Sequence, residues 1–343
     1  MKFTENMTFS ARLKQSCLMG VAALFFLLQM SPVRAADANT NTNANVTVNP
    51  EADAEISKNV DFFKAAFAGD APGVEKMLNE GIKTDLQSPE GFTALSVAAQ
   101  NGHMEIVKLL LDRKAAVDLA NIQGGTSLLL ASKNGHQEIV DLLLAKGANP
   151  NLQDKSGLTP LMLATVKGNA GVVKTLLDHQ AQPDLQNESK VTALHLAAQN
   201  DYADIVDMLL AKGAKIDLQD ANGASALILA ALTGRQAIVE KLLAQGAQPD
   251  LKAANDFTAL ILAAQNGQNP VIEVLLDKGA HIDFQNKDGM TALMSAVLNE
   301  NTDTVKLLLD KGADATIKTT SDKTALDFAK LPEIVELLKA AKK

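Results

Sequence analysis

The sequence is poor in the residues that anchor most globular cores and most chemistry. It has no tryptophan, one tyrosine and 3% aromatics, although 47% of its 343 residues are hydrophobic. The core must be built from Leu, Ala, Ile and Val, which suits stacked helices where small residues allow close approach. Cysteine occurs once, at Cys17, so no internal disulfide can form and no cysteine-based metal site is expected. Five histidines are spread along the chain. No nucleophile elbow, phosphate loop or dinucleotide fingerprint appears, and no serine has a His and an Asp in a plausible constellation. No enzyme, catalytic residue, cofactor or resident metal is expected. Basic residues are the minority, 32 Lys+Arg against 40 Asp+Glu. That balance argues against nucleic acid as a partner. It favours a protein partner with a basic surface, the other explanation being a solvated acidic face.

The N-terminus is built differently from the rest. Lys2, Arg12 and Lys14 precede an apolar run from Cys17 to Leu28, and a small-residue site follows at Val33–Asp37. These are the three parts of a secretory signal peptide over residues 1–35, cleaved near Ala35–Ala36. Twelve apolar residues are too few for a bilayer, which needs about 20, so stable membrane insertion is not expected. Without the leader the chain has 28 basic and 39 acidic residues and no cysteine. Residues 36–57 are polar and low in complexity, and read as a disordered linker.

Beyond the linker a 33-residue phrase recurs. Its tip position falls at Gly91, Gly124, Gly157, Lys190, Gly223, Asp256, Gly289 and Asp322, with no insertion or deletion. Each unit carries two short helical patterns. In one, Leu194, Ala197 and Ala198 share a face, as do Ile205, Val206, Leu209 and Leu210. Neither helix is long enough to stand alone in water. Glycines punctuate both helix ends, except at Asp201 and Glu300 after a first helix and at Lys114 and Gln180 after a second. If those four keep a positive φ, each costs on the order of 1 kcal/mol and marks a looser joint.

The 33-residue period, Thr159-Pro-Leu161, "TALHLAAQN" from Thr192 and "IVDLLLAKGANPN" from Ile139 resemble the ankyrin repeat. The resemblance covers residues 58–343. It implies an all-α repeat solenoid of helix–turn–helix units joined by β-hairpin loops, with a concave face. Residues 58–90 then form a degenerate first repeat with Phe62, Ala65 and Ala66 on its core stripe. Residues 91–321 form seven repeats, and 322–343 a shortened cap. Nine stacked units should extend roughly 70–80 Å. The resemblance also gives His195 a frame role: it bonds the Thr192 hydroxyl and the neighbouring loop. Other units fill that slot with Ser96, Leu129, Met162, Ile228, Ile261 and Met294.

Binding in this family falls on positions the repeat does not need. The residue after the tip is one: Phe92, Leu158, Val191, Phe257 and Met290 are large and apolar there. The resemblance puts that column on the concave side, largely open to solvent. Two readings stand open, packing across neighbouring hairpins or contact with a partner. A second column closes the first helix, with apolar members Val166, Leu232 and Leu298 in alternate units. The sequence-level expectation is a monomeric, exported scaffold for protein–protein binding, most simply in a bacterial periplasm. An inhibitor or immunity protein and a secreted virulence factor are the alternatives.

Overall fold

A computed structural model describes residues 50–341 of the chain. The leader and residues 36–49 of the linker lie outside the described residues. Eighteen α-helices and one 3-10 turn make up the described part. The array forms one compact unit from Ser57 onward.

In the seven full repeats each first helix is seven or eight residues long and starts for the same local reason. Thr93, Thr126, Thr159, Thr192, Ser225, Thr258 and Thr291 occupy the N-cap, and each hydroxyl accepts from the backbone N–H three residues on. Ser and Thr are preferred there because their oxygen satisfies a donor the helix cannot. After Ala94–Asn101 and Ser127–Asn134 the helix stops at Gly102 and Gly135, both left-handed. The second helices are nine residues each, from Met104–Asp112 to Thr302–Asp310.

First helices pack in one row, each against the next, and second helices pack in a parallel row behind them. The apolar stripes face the space between the rows. Leu194, Ala197, Ala198, Ile205, Val206 and Leu209 are all buried; Leu210, at the edge of its stripe, stays half-exposed. Phe62 and Ala66 are fully buried and Ala65 nearly so. Small residues at the first-helix stripe let the rows close up, and Leu and Ile fill the gaps.

The loops between units turn back without forming a sheet. Among the described residues there is no strand, only an isolated bridge between Gln87 and Thr93. Each loop closes on itself: Asp154 N–H donates to Leu158 O at 3.0 Å, and Gly157 N–H to Asp154 O at 2.9 Å. One backbone bond then joins each tip to the next, such as Lys155 N–H to Gln123 O at 2.9 Å and Glu188 N–H to Ser156 O at 3.1 Å. The expected β-hairpins are thus hairpin-shaped turns stitched tip to tip. One differs. Most loops start on Asn or Asp, whose side chain accepts from the N–H groups two and four residues on. The sixth full loop starts on Ala253, which has no such oxygen. There Ala254–Asp256 tightens into a 3-10 turn, with Asn255 and Asp256 both left-handed.

The linker reading needs one correction. Helix Pro50–Ala68 takes in the last eight residues expected to be disordered, 50–57. At 19 residues it is longer than the first helices of the full repeats. The four non-glycine joints keep a positive φ. Lys114, Gln180, Asp201 and Glu300 all have φ between 57° and 67°. The tips Lys190 and Asp322 are left-handed as well.

Candidate functional site

The face formed by the loop tips and the first-helix ends is where the frame leaves side chains free. The column after the tip does not stay open there. Leu158 is 8% exposed, and Phe257 and Met290 are 5% exposed. Phe92 and Val191 are half-exposed. The expectation of a largely solvent-open column is therefore corrected at Leu158, Phe257 and Met290, which are taken into packing. The stitched tips bring consecutive loops so close that an apolar side chain beside the tip is covered. A Cβ on Gly124 would lie 2.8 Å from the Asp154 Cα of the next loop.

The second column divides likewise. Leu232 is 3% exposed, whereas Val166 and Leu298 are half-exposed beside Gln100, Lys133, Gln199 and Gln265. The accessible first-helix row is mostly neutral amide, with apolar points at Val166 and Leu298, and the tips beside it carry exposed Glu90, Lys155, Glu188 and Lys287. Lys133 and Asp154 add a half-buried charged pair. Burial pushes Lys133 down, and nearby Lys167 adds to this. Burial also pushes the Asp154 carboxyl up, against the N–H bonds it accepts from Leu158 and Ser156.

Three of the five histidines belong to the frame. His195 is buried between units, its Nδ1 2.8 Å from the Thr192 hydroxyl and its Nε2 3.0 Å from the Ala224 carbonyl of the next loop. Burial holds its pKa below the usual value, partly offset by Asp220. His103 Nε2 lies 2.8 Å from Phe67 O and His136 Nε2 3.0 Å from Gln100 O. Both rings thus meet the last carbonyls of the preceding unit's first helix, groups that helices leave unsatisfied. Tyr202, Arg235, Gln268 and Asn301 hold the same register, and Asn301 Nδ2 donates to Gln265 O at 3.0 Å. Among the described residues no cluster of His, Cys, Asp or Glu could hold a metal ion.

A recurring Asp-Leu-Gln phrase carries two further ladders. The Asp85 carboxylate accepts from Ala116 N–H at 2.8 Å, Asp184 from Lys215 N–H at 2.8 Å, and Asp217 from Gln248 N–H at 3.1 Å. Asp118, Asn151, Asp250 and Asp283 repeat the bond. The glutamine amide of Gln153 donates to Gly157 O at 2.7 Å in its own loop and to Gln186 O at 3.0 Å in the next. Gln87, Gln186, Gln219 and Gln285 do the same. The phrase recurs in the sequence, but its bonds span 31 and 33 residues and form only when units stack. These aspartates explain much of the acidic balance without a basic partner, because each sits where a backbone donor needs an acceptor.

Among the described residues no helix is long and apolar enough to cross a membrane. The family model for ankyrin repeats (3 copies) matches residues 62–154, 146–220, 215–286 and 260–343. No curated protein shows a significant match to the chain. Among solved structures, the ankyrin repeat domain of Bcl-3, described as a unique member of the IkappaB protein family, superposes with a TM-score of 0.58 at 27% identity. That match covers 63% of this chain and 99% of the Bcl-3 domain.

Proposed function

Because the chain belongs to the ankyrin-repeat family, we propose that it is an exported scaffold, working in a bacterial periplasm, that binds another protein on its loop-tip and first-helix face. Ankyrin repeats are protein–protein interaction scaffolds, and the fold is in general non-catalytic. The export half of the reading rests on the leader sequence, with its basic start, twelve-residue apolar run and small-residue cleavage site. The binding half rests on one observation. The row Gln100, Lys133, Val166, Gln199, Gln265 and Leu298 is half-exposed on helices whose other positions are almost all buried. Those side chains vary from unit to unit while the frame around them repeats.

The test is capture from periplasmic extract by residues 36–343, beside two variants of matched helical circular dichroism. Val166→Asp/Leu298→Asp changes the face, and Lys306→Glu changes an exposed position on a second helix. A partner kept by wild type and Lys306→Glu but lost by the face variant supports the reading. Equal recovery by all three refutes the assignment of the face. A partner whose own activity is abolished on binding would make the protein an inhibitor or immunity factor. Partners found only in culture medium or host extracts would make it a secreted virulence factor.

A further inference from the structure

The first-helix row holds one charged spot that the frame does not explain. At the positions nine and ten residues after each tip, from Gln100 and Asn101 to Leu298 and Asn299, the seven full repeats carry no carboxylate. Lys133 and Lys167 are the only charges among them. Lys133 is half-exposed and Lys167 exposed. Burial pushes the Lys133 pKa down, and Lys167 is near enough to push it further. Among the described residues no carboxylate lies within 4.0 Å of either ammonium. By contrast Lys146, Lys212, Lys241 and Lys311 each pair with an aspartate of the preceding unit, at 2.6 to 3.3 Å. Asp154 acts on Lys133 from further off, and one of its oxygens already accepts from Ser156 and Leu158 N–H. A half-buried ammonium facing another lysine works against the fold. Gln100, Gln199 and Gln265 fill the Lys133 register in other units without that cost. A residue that breaks the local rule with no gain to the stack points to a role outside the stack.

We propose that Lys133 and Lys167 anchor a carboxylate of the partner protein, a Glu or Asp side chain next to an apolar residue. The inference rests on the reading of this face as the binding surface and names the chemistry that the face takes. Three observations select a protein carboxylate. First, the charge left without an ion pair is cationic. Charges beyond about 8 Å are screened at physiological salt, so these two outweigh the net charge of −8 at contact distance. Second, apolar groups stand beside the pair. Leu130, one turn before Lys133, and Val166, next to Lys167, are both half-exposed, and a free anion would leave them uncovered. Third, a nucleic acid would call for a basic stripe. The equivalent positions of the other five repeats carry no cation, and Asp154 and Glu188 bound the spot on the loop side.

The test is a titration of residues 36–343, which contain every described helix, followed by the NMR signals of the lysine Cε–Hε groups. The probe is acetyl-Glu-Leu-Glu-Leu-Glu-amide. The expected result is a saturable shift confined to Lys133 and Lys167, with a Kd of about 1 mM, and a rise in the Lys133 titration midpoint, since a carboxylate favours the charged form. The peptide with Gln in place of Glu should bind about tenfold more weakly. No shift, equal shifts with both peptides, or shifts spread over all lysines overturn the proposal. Tighter binding of a thymidine oligonucleotide than of the Glu peptide overturns the choice of a protein carboxylate. Lys133→Gln/Lys167→Gln should be at least as resistant to urea as wild type, and should hold a captured partner about tenfold more weakly. A lower urea midpoint would assign the lysines to the frame and overturn the anchor. Capture kept by this variant but lost by Val166→Asp/Leu298→Asp overturns the anchor and leaves the face assigned.

Discussion

Replacing Lys114 and Gln180 by glycine should stabilise the array. Both follow a second helix with left-handed backbone, φ 60° and 66°, and both side chains are exposed. The equivalent positions in other units are glycines, including Gly147, Gly213 and Gly246, and a Cβ built on these meets nothing within 4 Å. The cost at this joint is therefore backbone strain without a clash. A Cβ in the left-handed region costs about 1–2 kcal/mol. Glycine gives back part of that, about 0.4–1 kcal/mol, through the entropy of the unfolded chain. Each replacement should gain about 0.5–1 kcal/mol, and the pair about 1–2 kcal/mol if the sites act independently. They lie two repeats apart, so independence is expected. Urea denaturation followed by circular dichroism reads the total. Amide hydrogen exchange at residues 111–116 and 177–182 reads the joints themselves, which should be among the faster-opening parts of the wild type and slow in the variant. The reverse change, Gly246→Ala at φ +90°, should cost about 0.5–1 kcal/mol by the same balance. A double-glycine variant no more stable than wild type, or a neutral Gly246→Ala, would show that the left-handed joints carry no strain.

Other outcomes follow from the packing and bonding. Burial lowers the His195 pKa below its ordinary 6.5, so the unfolded chain binds the proton more readily. Its contribution is whole above pH 6.5 and is lost as pH falls below that value. Denaturation midpoints measured from pH 7.5 to 5 should fall more steeply for wild type than for His195→Leu. At pH 7.5 that variant should be less stable by about 1 kcal/mol, because Ala224 O loses the His195 bond while still accepting from Asp220 N–H; parallel pH profiles would refute the burial effect. Asp217→Ala strips the acceptor from Gln248 N–H and should cost about 1 kcal/mol, with faster exchange at that amide; unchanged exchange would mean water replaces the carboxylate at no cost. Leu209→Ala, at a fully buried position, should cost about 2–5 kcal/mol, and half-exposed Leu210→Ala distinctly less. Equal losses would contradict the stripe assignment.

The histidine slot shows how far the sequence reaches. One His among seven equivalent positions, filled elsewhere by Ser, Leu, Met or Ile, already marks His195 as part of the frame, and its bonds to Thr192 and Ala224 bear that out. The loop-tip column shows where it stops. Phe92, Leu158 and Phe257 hold the same register, yet Phe92 stays half-exposed while the other two are buried. Position within the repeat is the same for all three, and the difference lies in what stands beside each loop. The same holds for Val166 and Leu298 against Leu232.

By itself the sequence determined the unit: its length, two helices, glycine and threonine punctuation, and the stripes that must be buried. Those features are local, set by φ, capping and a 3.6-residue period, and each copy states them again. Tertiary structure decided what the copies do to one another. The aspartate and glutamine ladders, the tip-to-tip stitching and the burial of Phe257 and Met290 all depend on neighbouring units. Exposure is a property of the stack, so the surface left for a partner could be read only once the stack was formed.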